Sequence, residues 1–89
     1  MATATITAAN QWTPNVNLRG HGAVSVSGTF VATVRLQRSF DGGATWGTVG
    51  TAVGPAEGSI YDPAADAVYR CGVATGEFTS GSITIRLNK

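Results

Sequence analysis

FVATVRLQRSFDGGATWGTV, residues 30–49, reads as a strand, a tight turn and a returning strand. In its first half apolar and polar residues alternate. Phe30, Ala32, Val34 and Leu36 fall on one face, and Val31, Thr33, Arg35 and Gln37 on the other. A period of two marks a half-buried strand, because successive side chains point to opposite faces of a pleated ribbon. Phe40 to Thr45 then supplies turn chemistry. Asp41 can fold its carboxylate back onto backbone N–H groups two or three residues on. Gly42 and Gly43 can take the positive φ values that such a turn requires. Trp46 opens the return and offers a large apolar plate to close the turn.

The alternation recurs on both sides of this hairpin. AVYRCGV sets Ala67, Tyr69, Cys71 and Val73 inward and Val68 and Arg70 outward, and SITIRLN sets Ile83, Ile85 and Leu87 against Thr84 and Arg86. These are half-buried antiparallel strands. Weaker strand signals lie at residues 3–7, 16–19, 23–27 and 45–49. Ser27-Gly28-Thr29 reads as a tight link into the strand that starts at Phe30, and Gly76 to Gly81 as a longer hairpin loop. Residues 50–66 carry two prolines and no clear alternation, so they read as an irregular connection with a short strand at Ser59–Tyr61. About seven strands in one chain predict an all-β fold, an antiparallel β-sandwich or small barrel, since two sheets must cover each other's apolar faces. Leu36, Val34, Tyr69, Ile83 and Ile85 are expected to share one core with Trp46.

The chain has 89 residues, 43% of them hydrophobic and only 12% charged, which suits one small folded domain and excludes a disordered one. Six Lys/Arg against five Asp/Glu give a net charge of +1 with no basic run, so nucleic acid is not an expected partner. Apolar runs are too short for a membrane span. The opening MATATITAANQWTP lacks the basic and apolar regions of a secretory signal, which predicts a cytoplasmic origin.

Little catalytic chemistry can be assembled. His21, the one histidine, is flanked by glycines and reads as a loop residue. Without a second histidine or a reactive cysteine motif, neither a triad nor a zinc site can form. Cys71 alone cannot make an intrachain disulfide and reads as a small buried residue, with an intersubunit disulfide as the alternative. Glu57, Asp62 and Asp66 are spaced unlike a calcium loop and read as solubilising charges. No catalytic residue, cofactor or metal is expected.

Ser39, Asp41, Gly43, Thr45 and Trp46 spell Ser-x-Asp-x-Gly-x-Thr-Trp, which resembles the Asp-box, the hairpin repeat of sialidases. There the box is structural and lies away from the catalytic site, so the resemblance implies a turn and no activity. A sialidase propeller also needs several four-stranded blades, whereas this chain has strands for about two and one copy of the box.

Taken with YRCGVATGEFTSGSITIRL and the Thr/Ala-rich start, VRLQRSFDGGATW resembles short β proteins of tailed bacteriophages and prophages, the virion structural proteins. The resemblance runs from Ala2 to Leu87, and Cys71 stands where its pattern has another small apolar residue. It implies a non-enzymatic part of the virion, assembled in the host bacterial cytoplasm, whose partner is the major capsid protein or another virion protein. A capsid decoration (cement) protein on the outer head surface is the first expectation, and a tail, collar or head–tail joining subunit the second. A small carbohydrate-binding module is the rival, with Trp12, Tyr61 or Phe78 as stacking platforms; core filling and turn packing are the alternative roles of those rings.

Residues 16–89 form the expected sandwich domain, and residues 1–15 an N-terminal segment. Its strand at 3–7, with Ile6 as the one bulky aliphatic residue, either adds to the domain's own sheet or is lent to a neighbouring subunit in a homo-oligomer, a trimer being favoured. Ile6, Trp12, Arg35, Arg70 and Arg86 are the candidate interface residues, the arginines facing carboxylates of a partner.

Overall fold

The structure, a computed structural model, describes residues 2–17, 20–62 and 67–88. Nine strands follow in chain order: β1 (Ala2–Ile6), β2 (Gln11–Trp12), β3 (Val16–Asn17), β4 (Gly20–Ala32), β5 (Val34–Ser39), β6 (Gly47–Ala52), β7 (Ala56–Asp62), β8 (Val68–Val73) and β9 (Phe78–Asn88). They make two antiparallel sheets packed face to face. The first has the order β1-β9-β4-β7; the second has the order β2-β8-β5-β6, with β3 beside β2 on the same flank of β8. The all-β sandwich is therefore the fold. No helix among the described residues is long and apolar enough to cross a membrane.

The inward residues of the two sheets meet in two adjoining clusters. Ile6, Val26, Val34, Cys71, Val73, Ile83 and Ile85 form one, and Ala2, Ile60, Ala67, Tyr69 and Leu87 the other, with half-buried Leu36 packing against both. The expected core thus divides, Tyr69 lying in the second cluster, and Trp46 belongs to neither. Cys71 is buried, and burial pushes its thiol up to about 12, so it packs as an apolar residue and is unsuited to exchange with a thiol outside the domain. Ile6 lies in this core with 1% of its surface exposed, and β1 pairs with β9 of its own chain from Ala2↔Leu87 to Ile6↔Ile83. The expected interface residue is therefore a core residue, and the strand at the N-terminal end adds to the domain's own sheet.

Three further differences from the sequence reading share one cause: chain partners far apart in sequence. The run Phe30–Leu36 is not one strand, because the chain crosses at Thr33 from the first sheet, where Phe30 and Ala32 sit, to the second, where Val34 and Leu36 sit; the Thr33 N–H donates to the Glu77 carbonyl at 3.0 Å. Ser27-Gly28-Thr29 is not a turn but mid-strand in β4. Gly28 (φ 112°) and Gly81 (φ 103°) let β4 and β9 approach so closely that a Cβ at either would collide with a carbonyl of the other strand, Ser82 or Thr29. For the same reason β9 begins at Phe78, inside the expected loop. Residues 56–62, read as mostly irregular, are β7, paired with β4 from Gly20↔Asp62 to Val26↔Ala56. His21 accordingly lies in a strand rather than a loop. Leu18 and Arg19 of the expected 16–19 strand, and Asp66, lie outside the described residues.

Truncating Ile85, buried at the centre of the larger cluster, removes most of a fully enclosed side chain. Ile85→Ala is expected to cost about 2–5 kcal/mol, a large share of the stability of so small a domain. Urea unfolding checks this; an unchanged midpoint would place Ile85 outside the core.

Candidate functional site

The outer face of the second sheet gathers most of the polar and aromatic residues singled out above. At one end of β5 the chain turns over into β6, and the turn is tied by the side chains that the sequence marks. Ser39, buried at the strand end, donates from Oγ to Asp41 Oδ1 at 2.6 Å and accepts from the N–H groups of Asp41 (3.3 Å) and Gly43 (2.9 Å). Asp41 in turn accepts from the Thr45 N–H at Oδ1 (2.9 Å) and from Thr45 Oγ1 at Oδ2 (2.5 Å). Gly42 and Gly43 take φ values of 74° and 101°. The Ser39 hydroxyl, followed by the Thr45 hydroxyl and N–H, holds the Asp41 carboxyl well below the usual carboxylate range. Its charge serves the turn.

Trp46 leaves this turn and lies back over the outer face instead of entering the core. Its indole stacks on the Arg70 guanidinium with Cζ 4.3 Å from the ring centre, and the Trp12 indole covers the other side at 4.0 Å. The cation is thus held between both tryptophans of the chain. Gln37, the register partner of Arg70 on β5, pins it by accepting from Nε (3.0 Å) and Nη2 (2.9 Å) at Oε1. Trp12 reaches this position because its register partner is Gly72: a Cβ there would collide with the Gln11 carbonyl and approach Trp12 Cα to 2.7 Å. Beyond Trp12 the strand breaks at Pro14, and Thr13 bridges the gap, its N–H donating to the Cys71 carbonyl (2.8 Å) and its Oγ1 accepting from the Cys71 N–H (3.1 Å).

Arg35 and Arg70 point outward as expected, yet neither waits for a carboxylate from elsewhere. Arg35 makes a forked ion pair with Glu77 of the same chain, Nε to Oε1 at 2.5 Å and Nη2 to Oε2 at 2.6 Å, which lowers the Glu77 carboxyl. Desolvation lowers Arg70, whose hydrogen-bond partner among the described residues is the neutral Gln37 amide. Arg86 alone of the three is exposed with no hydrogen bond or ion pair among the described residues. Around it, the outer face of the first sheet is a ladder of hydroxyls, Thr3, Thr5, Thr84, Ser25, Ser27, Thr29 and Ser82, set by the β1–β9 and β9–β4 registers.

Of the three candidate sugar platforms only Tyr61 is open. It is 65% exposed and rests on the His21 ring at 4.8 Å, while Phe78 packs against the core and Trp12 is covered on one face by Arg70. No cluster of three metal-ligating side chains occurs among the described residues. Sequence reasoning missed Glu77, Gln37 and Gly72. Their roles depend on β5 and β2 both lying against β8, and no local pattern records that arrangement.

Asp41→Ala is expected to lower the melting temperature at neutral pH. A carboxyl depressed in the folded state stabilises above its unfolded value of about 4, and that contribution fades as pH falls through the folded value. The gap in melting temperature between wild type and Asp41→Ala should therefore narrow in acid; a gap independent of pH would show that the carboxylate charge is not what the turn uses. Arg70→Ala should cost roughly 1–2 kcal/mol and shift the intrinsic fluorescence, since both tryptophans flank Arg70. Unchanged emission would mean that the indoles do not hold it in solution.

Comparison of the chain with protein-family models, with curated proteins and with solved structures returns no match.

Proposed function

We propose that this chain is a structural protein of a bacteriophage virion, a capsid decoration protein that binds the outer head surface through the major capsid protein, and that it is not an enzyme. The observation that carries this reading is the use made of its charged groups. Asp41 is consumed by the turn, Arg70 by the two indoles, and Arg35 and Glu77 by each other. What remains for a partner, beside the exposed Arg86, is a sandwich with a hydroxyl-lined face and open strand edges, surfaces suited to repeated close contact. The resemblance of the Asp-box hairpin and of the C-terminal strand to phage virion proteins points the same way. A tail, collar or head–tail joining subunit has the same chemistry and differs in copy number. The carbohydrate reading narrows to the Tyr61 ring beside His21.

Gel analysis of purified particles tests the proposal. A band whose intensity rivals that of the major capsid protein is the expected result. A few copies per particle would move the chain to the tail or collar, and absence from particles would overturn the reading. Retention of the isolated protein on glycan beads, lost in Tyr61→Ala, would favour the sugar-binding alternative.

A further inference from the structure

The register of the first sheet sets one row of outward residues: Thr3 on β1, Arg86 on β9, Ser25 on β4 and Glu57 on β7. Arg86 and Glu57 are both exposed, and neither has a hydrogen bond or ion pair among the described residues. Ser25 separates them, so their backbones lie two strand spacings apart, about 10 Å. One row along, Asn88 and Ser59 flank Ala23 in the same way. Between the flanks Ala23 and Ser25 are small, and the face has a shallow hollow there, bordered by Glu57, Ser59, Arg86 and Asn88.

The face therefore carries a cation on one flank of β4 and an anion on the other, at one level. Two copies of it can be laid together about a twofold axis in two ways. An axis across the strands sets Arg86 against Arg86 and Glu57 against Glu57, which repels. An axis along β4 sets Arg86 of each copy over Glu57 of the other, and Asn88 over Ser59, an amide over a hydroxyl. β4 then faces β4 through Ala23 and Ser25, side chains short enough for aligned sheets to approach. The hollow gives the longer flanking side chains room to lean across the axis. We propose that the outer face of the first sheet is a twofold interface between two copies of this chain, with Arg86 of each paired to Glu57 of the other. The contact is isologous, so it closes on two copies and does not propagate. Three strands over the length of β7 cover on the order of 500 Å² per copy, against roughly 800 Å² in a standard interface, so the dimer is a weak one. This inference concerns the isolated chain and stands whether or not the chain belongs to a virion.

Sedimentation velocity over a concentration series tests it on the whole chain, on Arg86→Glu, on Glu57→Arg and on the variant carrying both exchanges. Neither side chain bonds another described residue, so each variant should melt near the wild-type temperature. Wild type should dimerise, and added salt should weaken the dimer. Either single exchange sets like charges opposite each other twice and should weaken association at least about tenfold. The double exchange restores both pairs and should dimerise like wild type. An equal mixture of the two single variants should also give dimers, because one copy then presents two cations and the other two anions. Arg86→Gln and Glu57→Gln replace any exchange that melts early, with a smaller loss expected. A wild-type chain that stays monomeric at its highest attainable concentration would overturn the proposal and leave this face to a different protein. A single exchange that associates like wild type, or a mixture that stays monomeric, would overturn it as well.

Discussion

The buried Ser39 hydroxyl, which donates to Asp41 and accepts from two backbone N–H groups, ties β5 to β6, among the described residues the only two consecutive strands that pair with each other. Every other assigned pair joins segments separated by further strands, and the chain crosses repeatedly between sheets. Closing such long loops costs entropy before any apolar contact repays it. A turn fixed by its own side chains presents β5 in a defined register, and β5 then offers its other edge to β8. The rest of the second sheet is laid out from that pairing, and Arg70 and Gln37 face each other because of it.

On the outer face of that sheet, charge and aromatic area are arranged so that each covers the other. A guanidinium between two indoles keeps its charge in a partly desolvated place, since the ring faces are electron-rich and Gln37 supplies hydrogen bonds without a second charge. The arrangement shields two large apolar rings on an otherwise polar sheet surface. The same residues that a functional reading would nominate for binding are thereby spent on closing the second sheet over its own broken edge strand.

Local patterns carried much of this molecule. The alternation in residues 67–73 and 83–87 placed Tyr69, Cys71, Val73, Ile83, Ile85 and Leu87 inward, as they are found, and the turn residues Ser39, Asp41, Gly43 and Thr45 bond as their chemistry suggests. Illegible were the features set by partners distant in sequence. Gly28 looked like a turn residue because its partner across the ladder is near Gly81, far along the chain. Trp46 looked like a core plate because nothing nearby announced Arg70. Thr33 kept a perfect alternation while the chain changed sheets, since the period of two reports which side of a strand is apolar and not which sheet the strand joins. β7, with Gly58 and few apolar residues, has a strand's geometry only because β4 is there to pair with it.

The pairing of Ala2 with Leu87 places the two ends of the described chain next to each other, at one end of the sandwich. Ala2 and Leu87 thus sit side by side, as a pair of leads from one socket. Tension applied between those leads would act across the β1–β9 ladder as on a zipper, opening it one backbone bond at a time and drawing Ala2, then Ile6, out of the core. A load applied at that end as a whole would instead leave the ladder unstressed. Tension between the two ends therefore meets the fold at its weakest, one rung of the ladder at a time.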